Sequence, residues 1–220
     1  MLNDHRMFYS CLMPDAIEIN DHDLFYKFCL DKTDKSKLGL DIGADTCEGL
    51  VNALLHNEWL GEICAFDVWL VRDPLYVSDN VTYRKGDALQ TVDTLLKERN
   101  QKIGVLELDI RGIEPELLHE NDQGLDLENP KSENILDLCL DYLEEGSIVI
   151  ISEFHSHPPS FRNILHDDAI AFSKSFAKLD KRYKCICYSE TKSAWIITSD
   201  KDSLYKDQLN KLIQFVHDIK

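Results

Sequence analysis

Residues 37–45, Lys-Leu-Gly-Leu-Asp-Ile-Gly-Ala-Asp, constrain the fold of this chain more than any other segment. They predict a short apolar strand that runs into an acidic turn containing glycine. An amphipathic helix should follow, because apolar residues recur there at the spacing of one helical face: Cys47, Leu50, Val51, Leu54 and Leu55. Such a turn brings bare backbone and a carboxylate close to a bound nucleotide, although many glycine turns before helices only reverse the chain.

Strand and helix candidates alternate through the middle of the chain, which is typical of a sheet with crossover helices. The predicted strands span residues 38–41, 62–67, 81–85, 103–110 and 147–154. The predicted helices span residues 91–99, 134–144 and 163–179, and Gly146 is expected just beyond the end of the second one. Residues 183–189 and 194–199 are β-rich runs joined by a short polar link, so they predict a terminal antiparallel hairpin.

Composition and charge narrow the classes of partner. A chain of 220 residues that is 44% hydrophobic can bury one full core, and its net charge of -16 disfavours nucleic acid or an anionic membrane as a partner. Because the start lacks a secretory apolar region and no apolar run is long enough to span a bilayer, we expect a cytoplasmic protein. The seven cysteines lack CxxC spacing and predict reduced core thiols, most clearly at Cys29, Cys64, Cys139 and Cys185.

The predicted hairpin separates two fold classes. A dinucleotide-binding dehydrogenase usually continues with parallel strands, and this chain also lacks a full GxGxxG pattern, so an NAD-dependent oxidoreductase is disfavoured. A terminal antiparallel hairpin on an otherwise parallel sheet is instead the arrangement of the class I methyltransferases that use S-adenosylmethionine (SAM).

Three segments carry a resemblance to one family of that class. Residues 41–45 resemble the first motif of the FkbM-type methyltransferases, and residues 106–118, Leu-Glu-Leu-Asp-Ile-Arg-Gly-Ile-Glu-Pro-Glu-Leu-Leu, resemble their fourth-strand motif. Residues 151–155, Ile-Ser-Glu-Phe-His, are similar to the end of their fifth strand. Residues 143–151 are also similar to the related macrocin O-methyltransferases.

The resemblance, which extends over about residues 38–198, implies an α/β, Rossmann-like fold with a mostly parallel seven-stranded sheet. The SAM-binding domain would span residues 37–200, between an N-terminal helical extension at 1–36 and a C-terminal helix at 201–220. A helix near residues 23–30 would cover the cofactor. The implied activity is SAM-dependent O-methylation of a small-molecule hydroxyl; the sequence specifies neither the acceptor nor the oligomeric state.

Ligands of open α/β sheets bind beyond the carboxyl ends of the strands, so the residues there are the candidate cofactor contacts. Asp67 ends a strand where a carboxylate can accept hydrogen bonds from ribose hydroxyls, and Asp87 lies where this fold places a carboxylate near the adenine amino group. Asp87 also suits a simple turn, and Asp45 a helix cap. The predicted cofactor turn is formed by Asp41, Gly43, Ala44 and Asp45.

The transfer step is assigned to the ends of the fourth and fifth predicted strands. Alternate residues share a face of a strand, so Asp109 should meet Glu153 and His155, with His157 on the same side. The acceptor hydroxyl must lose its proton as it attacks, either to a base such as His155 or through a divalent metal such as magnesium held by Asp109, Glu153 and His155. Solvated loop histidines are the alternative interpretation, since two prolines follow directly.

The chain departs from the family pattern at three places. Cys47 stands where the family has glycine, Arg111 replaces the first glutamate of the fourth-strand motif, and residues 120–133 form an acidic insertion. These changes keep a second hypothesis open, namely a non-catalytic or metal-binding relative of the fold with a different reaction.

Overall fold

The computed structural model describes residues 15–44, 47–67, 78–86, 88–109, 132–151, 183–189 and 192–199. Their strands are β1 Ile17–Glu18, β2 Leu38–Ile42, β3 Ile63–Asp67, β4 Val81–Lys85, β5 Ile103–Leu108, β6 Leu143–Ile151, β7 Tyr183–Tyr188 and β8 Ser193–Ile197. Their helices are α1 His22–Leu30, α2 Leu50–His56, α3 Ala88–Arg99 and α4 Ser132–Cys139, and a 3₁₀ turn spans Leu140–Tyr142.

The strands form one sheet in the order β1-β7-β8-β6-β5-β2-β3-β4. Strand β8 pairs antiparallel with both β6 and β7, and the other neighbours pair in parallel. The mostly parallel sheet with a terminal antiparallel hairpin is therefore confirmed. The predicted count of seven strands was wrong for the described residues, because the two-residue strand β1 adds an eighth beside β7.

The order of the strands positions the site. The chain passes from β2 outward to β3 and β4 and then returns to place β5 on the other side of β2. The crevice between the carboxyl ends of β2 and β5 is thus the topological switch point, where open α/β sheets bind their ligands.

Two apolar layers cover the sheet. Helices α3 and α4 pack on one face through residues such as Leu95 and Ile135, and α1 and α2 pack on the other through Phe25 and Leu54. Because side chains alternate along a strand, Leu40 points toward the first layer and its neighbour Asp41 toward the second. The carboxylates of β2 and β5 therefore lie under α1 and α2.

Some element bounds differ from the sequence-based expectation. The helix predicted at 134–144 ends at Cys139, and a strand begins at Leu143. Gly146 has a φ of +84° within β6, where the register against β5 shifts, so this glycine serves a strand irregularity rather than a helix end. The helix predicted at 91–99 begins earlier, at Ala88, and the one predicted at 163–179 lies outside the described residues.

Helix α1 confirms the helix predicted near residues 23–30. It begins after Asp21, whose carboxylate accepts a hydrogen bond from the Leu24 backbone N–H at 2.9 Å, a normal N-cap. The core positions predicted for the cysteines are confirmed as well, since Cys29, Cys64, Cys139 and Cys185 are all buried. Over the part of the chain described here, no helix is long and apolar enough to cross a membrane.

Candidate functional site at the switch point

The turn after β2 is fixed against both neighbouring strands. The backbone N–H groups of Gly43 and Ala44 donate to the Phe66 carbonyl at 2.9 and 3.0 Å, and the Asp109 N–H donates to the Ile42 carbonyl at 2.8 Å. Gly43 has a φ of +86°, and a Cβ atom there would lie only 1.9 Å from the Asp109 carbonyl oxygen. Only glycine fits this close approach of two chain segments.

Cys47 stands at a backbone position that favours glycine. It lies in the left-handed region, with a φ of 63°, and its N–H donates to the Ala44 carbonyl at 2.6 Å. Glycine adopts this conformation without a steric penalty, whereas a residue with a Cβ atom is strained there. The Cys47 side chain is buried, in the apolar layer under α1 and α2. The backbone at residue 47 therefore keeps the conformation of a glycine turn, and the Cys47 side chain packs into the apolar layer beside it.

Asp41 is a fully buried carboxylate at the base of the turn, with 3% of its surface exposed. The Val51 backbone N–H donates to it, which ties β2 to the first turn of α2. Loss of hydration raises the pKa of Asp41 well above its usual value, and the Glu107 carboxylate raises it further, while the Lys192 ammonium acts in the opposite direction. A carboxylate held in this way favours a cation placed next to it.

A buried side-chain cluster lies beside Asp41. Tyr26 of α1, Glu107 of β5 and Lys192 just before β8 form it, and we call it the tyrosine cluster. The Tyr26 hydroxyl lies 2.8 Å from both carboxylate oxygens of Glu107. The Lys192 ammonium donates to Glu107 Oε1 at 2.6 Å and to the Tyr26 hydroxyl oxygen at 2.7 Å. Tyr26 is 0% and Glu107 2% exposed, so the bonds between them are buried, whereas the Lys192 side chain is 15% exposed and its two bonds are partly buried.

The chemistry of the three groups fixes the direction of each bond. An ammonium has no acceptor and a carboxylate has no proton to give, so the Tyr26 hydroxyl accepts from Lys192 and donates to Glu107. Burial raises the pKa of Tyr26 well above 10.0, and the Glu107 carboxylate adds to the effect. Tyr26 is therefore a hydrogen-bond donor here and not a base.

Gly49, at the N-terminus of α2, packs against this cluster. A Cβ atom at residue 49 would lie 3.2 Å from the Tyr26 hydroxyl oxygen and 3.7 Å from Glu107 Oε2. Since both partners of the hydroxyl hold it in place, it cannot move aside easily. We expect Gly49→Ala to lower the free energy of unfolding by about 1–3 kcal/mol, measured by urea denaturation. An unchanged denaturation midpoint would show that the tyrosine cluster accommodates the added methyl group without a loss of stability.

The structure brings part of the predicted site together. Asp41, Gly43 and Ala44 lie at the turn, and Asp109 directly follows the neighbouring strand β5. Asp67 is half-buried at the end of β3, which pairs with β2, so its backbone lies at the same edge of the sheet. The remaining predicted site residues lie outside the described residues: Asp45, Asp87, Glu153, His155 and His157. Within the described ranges, no three His, Cys, Asp or Glu side chains are grouped to hold a metal.

Sequence reasoning missed the tyrosine cluster. One signal was available, because Glu107 interrupts the apolar run of a fully buried strand, and an acid in such a place requires a partner. The partners themselves are 81 and 85 residues away along the chain, in segments with no distinctive motif. Only the three-dimensional structure identifies Tyr26 and Lys192 as those partners.

Comparison with known proteins identifies the fold. Neither a family model nor a curated protein sequence matches the chain. Among solved structures, it is similar to apo CalS11, a TDP-rhamnose 3'-O-methyltransferase of calicheamicin biosynthesis, with a TM-score of 0.50 and 18% identity over 90% of this chain and 82% of that one. It is also similar to MycE, a methyltransferase of the mycinamycin pathway in complex with Mg, SAH and mycinamycin VI, with a TM-score of 0.54 and 11% identity over 82% of this chain.

The chain has the Rossmann-like methyltransferase fold. At these identities the likeness concerns the fold alone, and the match spans half of the MycE chain. Within the methyltransferase fold, the glycine turn at Gly43 lies at the switch point, and the sheet carries one strand, β1, beyond the seven predicted.

Proposed function

We propose that this protein is a SAM-dependent methyltransferase that methylates a hydroxyl group of a small molecule. The observation that carries the proposal is the turn at Gly43, where bare backbone meets the switch point of the sheet above a buried carboxylate, Asp41. The methyltransferase fold of the chain agrees with this choice of cofactor.

The residues at the switch point suit the chemistry of SAM. The cofactor carries a cationic sulfonium and a cationic amino group. Asp41 and Glu107 lie opposite each other in the register of β2 and β5, and Asp109 directly follows β5, so acidic residues lie at the carboxyl ends of both strands. Lys192 pairs with Glu107 at 2.6 Å, so the proposal assigns the cofactor's cationic groups to the other two carboxylates. Asp41 and Asp109 are proposed to attract the sulfonium and the amino group of SAM. Gly43 and Ala44 are proposed to line the cofactor.

Asp67 is proposed to bind the ribose. Its position as the last residue of β3, beside the turn, supports a carboxylate that accepts hydrogen bonds from sugar hydroxyls. Asp45 in the turn and Asp87 at the adenine amino group complete the proposed cofactor contacts. When bound, SAM would supply the methyl group, and the residues of this chain would hold and orient it.

The acceptor class is proposed by analogy with the similar structures. CalS11 is described as acting on TDP-rhamnose, and MycE is described in complex with a mycinamycin, so a sugar or macrolide-like hydroxyl compound is the first acceptor to test. We also propose that the protein belongs to the FkbM-like methyltransferases and is located in the cytoplasm. His155 is proposed as the base that removes the hydroxyl proton, with Asp109 and Glu153 beside it; a magnesium ion held by the same three residues is the alternative route.

Replacing Asp67 tests the cofactor assignment. We expect Asp67→Ala to weaken the binding of SAM and of its demethylated product by about tenfold or more, because two hydrogen bonds to a carboxylate are lost. Isothermal titration calorimetry measures both affinities. Asp93→Ala is the matched control, since Asp93 lies on α3 and pairs there with the exposed Lys97. Equal affinities in all three proteins would remove Asp67 from the cofactor site.

Activity is tested separately from binding. Purified protein, radiolabelled SAM and a panel of sugar nucleotides and macrolides are incubated with magnesium or with EDTA, and methyl transfer is counted. Transfer in both conditions supports the base route, and transfer that requires magnesium supports the metal route. Parent protein that binds neither SAM nor its demethylated product would overturn the proposed function.

A further inference from the structure

The tyrosine cluster joins three distant parts of the chain under the turn after β2. Tyr26 belongs to the helix near the N-terminal end of the described residues, Glu107 to the central strand β5, and Lys192 to the hairpin. Helix α1 touches the hairpin a second time, one turn further on, where Cys29 Sγ lies 3.6 Å from Cys187 Sγ. The cluster is thus the polar part of a continuous contact between α1, the hairpin and β5.

The cluster supports the turn from both ends. Glu107 lies directly opposite Asp41 in the register between β5 and β2, so it adjoins the end of the strand that enters the turn. Tyr26 and Glu107 also lie against Gly49, where the chain leaves the turn and begins α2. Residues 43–44 and 47–49 are therefore held between Asp41 on one side and the start of α2 on the other.

Each bond of the cluster depends on the other two. Lys192 donates the 2.6 Å charge-assisted bond to a carboxylate that is only 2% exposed, and removing one partner of a buried ion pair is strongly unfavourable. The simplest relief is for β5, α1 and the start of α2 to separate and admit water. That movement would displace Gly49 and the backbone of the turn.

We propose that Lys192 is a positioning residue for the cofactor turn, acting through Glu107 and Tyr26. Lys192 does not touch the proposed cofactor; it fixes the backbone of residues 43–44 and 47–49 in the shape that the cofactor requires. The identity of the ligand rests on the proposed function, whereas the effect on the turn itself does not.

The test compares Lys192→Met with the parent by amide hydrogen exchange of the ligand-free protein. Methionine keeps the length of the apolar stem and removes the charge. We expect exchange over residues 41–56 to become about tenfold faster or more, while residues 88–99 of α3 exchange as in the parent. Affinity for the demethylated product of SAM, measured by calorimetry well below the unfolding temperature, should fall by about tenfold or more.

A double variant separates charge balance from packing. Glu107→Gln combined with Lys192→Met removes both charges and leaves an amide oxygen that can accept from Tyr26. Because a buried ion pair can be replaced by neutral groups at little cost, we expect the double variant to recover most of the turn protection and affinity lost in Lys192→Met. A double variant as impaired as the single one would contradict the proposed role of charge.

Two further variants serve as a control and as an alternative to Lys192→Met. Thr33→Val removes the 2.8 Å hydrogen bond from Thr33 to the Gly104 carbonyl, at the opposite end of β5, and should lower stability without changing exchange of the turn. Tyr26→Phe keeps the ion pair and removes the hydroxyl, so it provides the same test in milder form if Lys192→Met does not fold.

The outcomes are distinguishable. Faster exchange that is equal in all segments, or an unchanged turn in both Lys192→Met and Tyr26→Phe, would overturn the positioning role. A parent protein that binds no cofactor would overturn the proposed function, and the exchange of residues 41–56 would still decide the role of Lys192.

Discussion

Gly43→Ala should destabilise the protein more than any other single methyl group added to the site. The new Cβ atom would lie 1.9 Å from the Asp109 carbonyl oxygen, which belongs to backbone and cannot rotate away. We expect the free energy of unfolding to fall by more than about 4 kcal/mol, measured by urea denaturation, because β2 and β5 would have to separate. Cofactor binding should be lost with it.

Gly146 offers a matched control for this substitution. Its φ of +84° is almost the same as the +86° of Gly43, but a Cβ atom at residue 146 would meet nothing within 4 Å. Gly146→Ala should therefore cost only the strain of the left-handed backbone, about 1–2 kcal/mol. Similar losses in the two variants would show that the conformation of Gly43, and not its contact with β5, makes glycine necessary.

Asp41→Asn should have opposite effects on stability and on binding. Asparagine has nearly the same shape and can still accept from the Val51 N–H, but it carries no charge into the buried site. We expect the variant to be more stable than the parent at neutral pH, by about 1–3 kcal/mol, since a poorly compensated buried group is removed. Its affinity for SAM should fall by about tenfold or more, because the cationic cofactor loses a carboxylate.

The pH dependence of this difference follows from the direction of the pKa shift. The folded-state pKa of Asp41 lies well above 3.8, so the parent is favoured while the carboxyl is protonated and loses stability as the pH rises through the folded pKa. The stability advantage of Asp41→Asn should be near zero at about pH 4 and should grow toward about pH 8. Unfolding curves across this range measure it.

Asp34 provides the opposite case. Hydrogen bonds from Ser36 lower the pKa of Asp34 in the folded protein, so Asp34→Asn should lose stability at neutral pH rather than gain it. An Asp41→Asn variant that is also less stable than the parent at neutral pH would show that the buried carboxylate stabilises the fold.

Local sequence patterns were sufficient to predict much of the fold. Mainly apolar runs such as residues 62–67 and 103–110 predicted strands, and their alternation with helices predicted a mostly parallel sheet. The strands Ile63–Asp67 and Ile103–Leu108 confirm both. The hairpin was predictable from a short polar link between two β-rich runs. The bounds of helices and strands were less predictable where a residue suits two different structures. Gly146 is an example, because a glycine fits both a helix end and a strand irregularity.

Candidates for the site were chosen from the residues at strand ends, and their roles stay a prediction. Asp41, Gly43 and Asp67 could be chosen because the carboxyl ends of parallel strands meet at one edge of a sheet. The eighth strand, Ile17–Glu18, was missed because two residues carry no periodic signal. The partners of Glu107 were missed because contacts between distant segments depend on how the layers pack, which no local pattern encodes.

The tyrosine cluster also has a consequence for the order of folding. Tyr26 and Lys192 are 166 residues apart, so a chain leaving the ribosome cannot close this contact until the hairpin has been synthesised. Pairings of such long range form slowly, since a large loop must be ordered first. We therefore expect an early, partly assembled state in which β2, β3 and α2 have formed, and in which the ligand crevice is completed last.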